Sequence, residues 1–182
     1  PELGARLDLF ARRIADEMDG PYDEVLLLTH SAGTILAMSL MRRIFELRED
    51  VPDRFALVGL GQVVPVVALR SDAGWYHRDL RALADKRFRY VDFSFPPDGA
   101  AYFNVNPLLL ESEHFAAPVD MLSPRFHLFY DPENYHGGMA NKYEAHFDYL
   151  RVGDRVSPVD YVSLTAGPRT LDQSIALFRT IP

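Results

Sequence analysis

A serine hydroxyl attacks a carbonyl at neutral pH only with help. A base must take its proton, an acid must orient that base, and donors must receive the developing oxyanion. A sharp passage from strand into helix meets a prior need, because it pushes the side chain clear of the backbone. Residues 25–40, VLLLTHSAGTILAMSL, have the composition for such a passage. Val25, Leu26, Leu27 and Leu28 read as a strand buried on both faces, and residues 32–48 as a helix that opens on two very small residues. Between them, Thr29-His30-Ser31-Ala32-Gly33 matches the G-x-S-x-G elbow pattern, with Thr29 in place of its first glycine. In this reading Ser31 is the nucleophile and the amide of Ala32, at the helix N-terminus, is one oxyanion donor. His30 would lie beside the elbow, packing or lining the substrate pocket. The competing reading makes Ser31 an ordinary helix cap.

The remaining parts of such a site must come from elsewhere in the chain. In the elbow arrangement the acid and then the histidine follow the serine in sequence. Asp98 is the best-placed acid, because it follows a strand within a Pro-Pro-Asp-Gly turn. That setting is also good turn chemistry on its own. Asp92 is the alternative, but it would be buried inside the strand. Of six histidines, His114, His127, His136 and His146 follow Asp98, whereas His30 and His77 precede it. Asp131, Glu133 and His136 have a spacing that matches no metal-ligand pattern, and the nearby Pro132 and Gly137-Gly138 favour a loop. No metal and no cofactor are expected.

Composition narrows the partners. The chain of 182 residues is 48% hydrophobic and 25% charged, an ordinary globular composition long enough for one domain with a real core. A formal charge of −7 argues against a nucleic-acid backbone as ligand. The arginines alternate with acids (Arg42, Arg43, Glu46, Arg48, Glu49, Asp50), the pattern of a solvated helix face. The chain has no cysteine, hence no disulfide and no thiolate chemistry. No apolar run approaches the roughly 18–20 residues that span a bilayer, and no stretch reads as a signal peptide. A secreted protein can also lack disulfides, so cysteine usage leaves the compartment open, with the cytoplasm as default expectation.

Along the chain, Leu3, Leu7, Phe10, Ile14 and Met18 recur at steps of three or four and predict an amphipathic helix over residues 2–18, stopped by Gly20-Pro21. Strands are expected at 24–29, 55–60 and 88–95, with a possible last strand near 121–129. Residues 63–69 form an apolar run interrupted by Pro65, and a short helix is expected near 76–86. Residues 100–120 read as irregular, with Pro107 and Pro118. Tyr143, His146, Phe147 and Leu150 would share one helical face, and residues 159–165 are a further short apolar segment. Alternating strands and helices indicate an α/β protein with a mostly parallel sheet flanked by helices.

The stretches THSAG, FSFPPDGAAYFNVNPL, SPRFHLFY and AHFDYLRVGDRVSPVDYVSLTAGP resemble a bacterial, lipase- or esterase-like branch of the α/β-hydrolase superfamily, over most of residues 22–170. The resemblance implies Ser31 as nucleophile, Asp98 as acid and His146 as base. On the residues alone His127, and after it His114 or His136, stay open as the base. The resemblance further implies a carboxylic ester or related acyl substrate. The superfamily sheet has eight strands, with a second oxyanion amide in the loop after the third. This chain reads as beginning at the helix before the fifth, as a single domain over 1–182 that forms the C-terminal part of a longer one. Loss of one oxyanion donor costs on the order of a hundredfold in turnover. The strand at 24–29 would then be an open apolar edge, a template for self-association or for an upstream segment. Two other functions remain compatible with the residues: a noncatalytic hydrolase-like binding module, and an acyltransferase using the same serine.

Overall fold

Val25, Leu26, Leu27 and Leu28 do form a strand, and three further segments align beside it in chain order. A computed structural model describes residues 2–112, 116, 117, 119–136 and 142–182. Its sheet has four strands, β1 (Val25–His30), β2 (Phe55–Leu60), β3 (Arg89–Phe93) and β4 (Val119–Leu122), in the order β1-β2-β3-β4. Every pairing is parallel, with Val25 opposite Phe55, Ala56 opposite Arg89 and Tyr90 opposite Val119. A parallel pair needs a crossover, and helices supply the first two. Helix α1 is Glu2–Glu17, α2 is Ala32–Leu47, α3 is Pro65–Ala68 and α4 is Gly74–Ala82. On the C-terminal side lie α5 (Lys142–Phe147), α6 (Tyr161–Ala166) and α7 (Leu171–Arg179), with short 3-10 turns at Pro107–Leu110, Phe126–Leu128 and Asp148–Leu150.

The period-2 alternation of the strands splits the core into two layers. Phe55, Leu57 and Tyr90 face α1, α2 and α4, where they meet Leu7, Ala37, Met38, Met41, Ile44 and Leu80. Ala56, Val58, Leu60, Val91 and Phe93 face the opposite layer, built from Phe126, Phe129, Tyr149, Leu164, Ile175 and Phe178. A helix–sheet–helix sandwich results, an α/β architecture, and it explains why β2 reads as an unbroken apolar run: all six of its residues are buried. Each Leu or Phe so buried contributes about 1.5–3 kcal/mol.

The expected elements shift in places. The last strand lies at Val119–Leu122, starting before the expected 121–129 and overlapping it at 121 and 122, and Phe126–Leu128 forms a 3-10 helix instead. Leu7 and Met18 of the α1 stripe are buried, but Leu3 and Phe10 stay exposed because α2 covers only part of that face. Pro65 does not interrupt the 63–69 run but opens helix α3, where its missing N–H is no loss. The packed face expected around His146 is only half realised: His146 is buried, whereas Tyr143 and Leu150 are exposed. Residues 113–115, 118 and 137–141 lie outside the described set, and with them His114, Pro118 and the Gly137-Gly138 pair.

Strand β1 closes one side of the sheet. Among the described residues β2 is its only pairing partner, and all six of its residues are half-buried. Among the described residues no helix is long and apolar enough to cross a membrane.

Asp92, inside β3, is fully buried. It accepts a short hydrogen bond from the Ser94 hydroxyl, while its Oδ1 has no partner among the described residues. Burial pushes its carboxyl up to about 7, against a smaller downward pull from Ser94. A folded-state value above the unfolded one means that the unfolded chain ionises first, near pH 4. Stability is therefore fully present below that point and falls as pH rises toward 7. Asp92→Asn, which cannot ionise, is expected to match the parent in thermal midpoint at pH 4 and to exceed it at pH 8. Thermal melts followed by circular dichroism at the two pH values check this; equal midpoints at pH 8 would refute it.

Candidate active site

All four strands of a parallel sheet end on one side, so the segments that leave β1, β2 and β3 meet there. The first delivers Ser31. Its backbone has φ 54° and ψ −126°, a conformation that costs a non-glycine residue roughly 1–3 kcal/mol and persists only where the surroundings enforce it. The enforcement is visible. The Ser31 amide donates to Leu60 O at 3.1 Å, extending the β1–β2 ladder by one step. The Ser31 carbonyl accepts from the Thr34 amide at 2.9 Å and from the Thr34 hydroxyl at 2.6 Å, which closes the first turn of α2. Ser31 occupies the cap position, yet its hydroxyl makes no capping bond. The helix-cap alternative therefore fails, and the hydroxyl points elsewhere.

It points at His146. Ser31 Oγ lies 2.8 Å from His146 Nε2, and His146 Nδ1 lies 2.7 Å from Asp98 Oδ2. Residues 115 and 48 positions apart in the chain thus form one line: hydroxyl, imidazole, carboxylate. With Asp98 ionised, Nδ1 carries the proton and Nε2 presents its lone pair to the serine. Of the other histidines that follow Asp98, His127 is exposed, and His136 Nδ1 is engaged by Asp148 at 2.9 Å. Asp131 pairs with Arg155. His77, on α4, lies 3.6 Å from Glu111.

The Asp98 side chain has no solvent exposure, and burial alone would raise its pKa. Hydrogen bonds outweigh that. His146 holds Oδ2, while Oδ1 accepts from the amides of Ala100 at 2.9 Å and Ala101 at 3.3 Å, so the carboxyl stays below its ordinary value. The Pro-Pro-Asp-Gly turn is then both turn chemistry and site: the same carboxylate folds the turn and faces the imidazole. Asp92 touches Ser94 and takes no part.

Two residues of this site carry no obvious sequence signal. Gly61, just past β2, has φ +60°, and a Cβ there would stand 2.7 Å from the Tyr149 ring and 3.3 Å from Asp98 Oδ2. Tyr149, buried over Gly61, accepts the Phe95 amide on its hydroxyl at 2.7 Å, and burial together with the Asp98 charge raises its pKa. By contrast Gly33, the second elbow glycine, has room: a Cβ there would meet Thr29 Cβ at 3.7 Å, an ordinary contact. The close approach lies one strand over, at Gly61. Thr29 is accommodated at the first elbow position by donating its hydroxyl to Val58 O at 3.2 Å.

Ala32 is the first residue of α2 and is exposed. An amide at that position has no intrahelical acceptor, so it is free to face an oxyanion at the serine. His30 does not point away from the triad. Its Nε2 lies 2.8 Å from the backbone carbonyl of His146, and its ring centroid is 4.8 Å from the His146 ring.

The close approach at Gly61 gives a sharp expectation. Gly61→Ala carries about 1–2 kcal/mol of backbone strain and drives a methyl into Tyr149 and toward Asp98. It should lower the thermal midpoint and slow any Ser31-dependent reaction more than Gly33→Ala does. Parallel melts and active-serine labelling of the two variants check the order; a more damaging Gly33→Ala would contradict it. No protein-family model, curated protein or solved structure matches this chain, and the chemistry of the site is carried by its own geometry.

Proposed function

We propose that the chain is an α/β-hydrolase-type serine hydrolase acting on carboxylic esters. The observation that carries this reading is the unbroken Ser31–His146–Asp98 hydrogen-bond line, joined to a serine held at φ 54° between a strand and a helix. The chain order serine, acid, histidine, and the sequential all-parallel strands, support the same reading.

The chemistry follows from the protonation states. His146 Nε2 takes the Ser31 proton as Oγ bonds to the ester carbonyl carbon, and the carbonyl electron pair moves onto oxygen. The Ala32 amide donates to that oxyanion. Asp98, ionised, holds the imidazolium that forms. The intermediate collapses with cleavage of the ester C–O bond, and His146 gives its proton to the departing alkoxide. Water, deprotonated by the same nitrogen, then attacks the acyl-serine, and Ser31 recovers its proton as the carboxylic acid leaves. No metal or redox cofactor enters these steps. The partner is a small acyl compound, and the polarity of the chain gives no reason to invoke nucleic acid.

A fluorophosphonate probe tests the reading directly, because it reacts only with an activated serine. Labelling is expected in the parent and absent in Ser31→Ala. Asp98→Asn should lower ester turnover by on the order of 10³–10⁴-fold, since the imidazole then loses its orienting anion and its correct tautomer. Absence of labelling in the folded parent would move the assignment to a binding module.

The open side of β1 supports a second, separate expectation. Its outer row of amides and carbonyls, without a ladder partner among the described residues, suits the addition of a strand, from a second copy or from an upstream segment of the same polypeptide. Val25 and Ser31 donate their amides toward β2, so the amide of Leu28 faces the open side. Light scattering on this chain should detect association that Leu28→Pro reduces; a monodisperse monomer would exclude pairing between copies.

A further inference from the structure

The tip of β1 reaches His146 twice. Ser31 Oγ meets its ring at Nε2, and the preceding residue, His30, meets its backbone carbonyl at 2.8 Å. A carbonyl can only accept, so His30 must donate from Nε2. The His30 ring also lies in a tilted stack 4.8 Å from the His146 ring, 5.8 Å from Phe147 and 6.0 Å from Tyr149. We propose that His30 is a positioning residue for the proposed ester hydrolysis: as an Nε2–H donor it grips the backbone of His146, so that the imidazole stands at hydrogen-bond distance from Ser31.

The need for such a grip is geometric. His146 sits near the end of the short helix α5, in a segment 115 residues from the serine it must serve. A misplacement of about 1 Å at the base can cost on the order of a hundredfold in rate. Two bonds from adjacent residues of one rigid strand end fix both the ring and the backbone that carries it, leaving His146 little freedom to turn. The chemistry also asks for the neutral form of His30. A second cation stacked on His146 would oppose the imidazolium that each half-reaction forms. Burial lowers the pKa of His30, the bond to the His146 carbonyl raises it less, and of the charged groups that face it His146 lowers and Asp98 raises it. Among the described residues, the rings in contact with it are those of His146, Phe147 and Tyr149. His30 is thus an uncharged donor, distinct from the base it holds.

The proposal rests on the hydrolase reading, and the test separates the two. His30→Phe keeps a ring and removes the donor; His30→Gln places an amide N–H near the position of Nε2 and removes the ring. Thermal melts first establish that both variants fold. With a short-chain nitrophenyl ester, His30→Phe is expected to lower kcat about tenfold to a hundredfold with KM within about twofold of the parent, and His30→Gln to recover most of the loss. A His30→Phe kcat within about twofold of the parent, a change confined to KM, or a Gln variant no better than Phe would each overturn the proposal. A readout independent of turnover is long-range 1H–15N NMR of the labelled imidazoles. His30 should show a neutral ring protonated at Nε2, and the His146 resonances should move in the Phe variant and return in the Gln variant. That pattern in a parent without turnover would overturn the hydrolase reading and leave the grip; turnover with His30 protonated at Nδ1 would overturn the grip and leave the hydrolase.

Discussion

A carboxylate withdrawn from water must be surrounded by donors, and Asp98 is the point at which this requirement organises the surrounding structure. Its two oxygens take three donors, one an imidazole and two the amides of its own turn. Meeting that demand fixes the course of the chain after β3, because Ala100 and Ala101 must fold back over the side chain. It fixes the residue after β2 as well, since only a glycine at 61 leaves space for both the carboxylate and the Tyr149 ring. Desolvation of this kind costs several kcal/mol for an unpaired ion, and offsetting it with complete hydrogen bonding leaves a group that is both structural and polar.

The sheet supplies the rigidity that such a group needs. Gln62, buried after β2, donates to the carbonyls of Tyr102 and Val105 and accepts the Val64 amide, tying the chain after Asp98 to the chain after β2. The Val63 amide bonds the Thr34 hydroxyl, which in turn bonds the carbonyl of Ser31. Elbow, acid turn and strand ends therefore form one connected frame. On the opposite side of the site, Asp148 holds His136 and Arg151 just beyond the segment bearing His146. Gln62, Thr34 and Asp148 each tie separate segments through a buried polar side chain, so that loop positions inherit the precision of the strands.

Much of this was legible in the sequence, for identifiable reasons. A run such as Phe55–Leu60 has no polar face and can only be a central strand, and the passage from Leu28 to Ala32 changes period so abruptly that the elbow stands out. Asp98 was legible because proline and glycine punctuate the chain around it. His146 was reached through chain order and through a resemblance of whole segments; a histidine between alanine and phenylalanine on a short helix has no local mark of its role. Gly61 and Tyr149 were not legible, since their importance lies in how close two segments approach, which no spacing within either segment encodes. Helix α7 carries a complete capping box in Thr170 and Gln173, yet its pattern in the sequence is faint. Residues 171–179 are too few for the apolar stripe of Leu171, Ile175 and Phe178 to stand out from its neighbours. β4 was misplaced because Pro118 and Pro124 bracket a strand only four residues long.

The order of the strands has a consequence for how reactivity and folding are coupled. Because spatial order follows chain order, the sheet can be built by adding each strand beside the last, through its crossover segment and without rearranging earlier pairs. The serine is in place after the first such step and the carboxylate after the second, but the imidazole comes from the final third of the polypeptide. A nascent or partly opened chain would carry a formed elbow with no base against it. The hydroxyl would then be chemically ordinary until the last segment docks, and it would become so again whenever that segment lifts away while the sheet stays whole. On the proposed hydrolase reading, nucleophilicity would be a property of the finished tertiary structure and would report on the docking of one short helix.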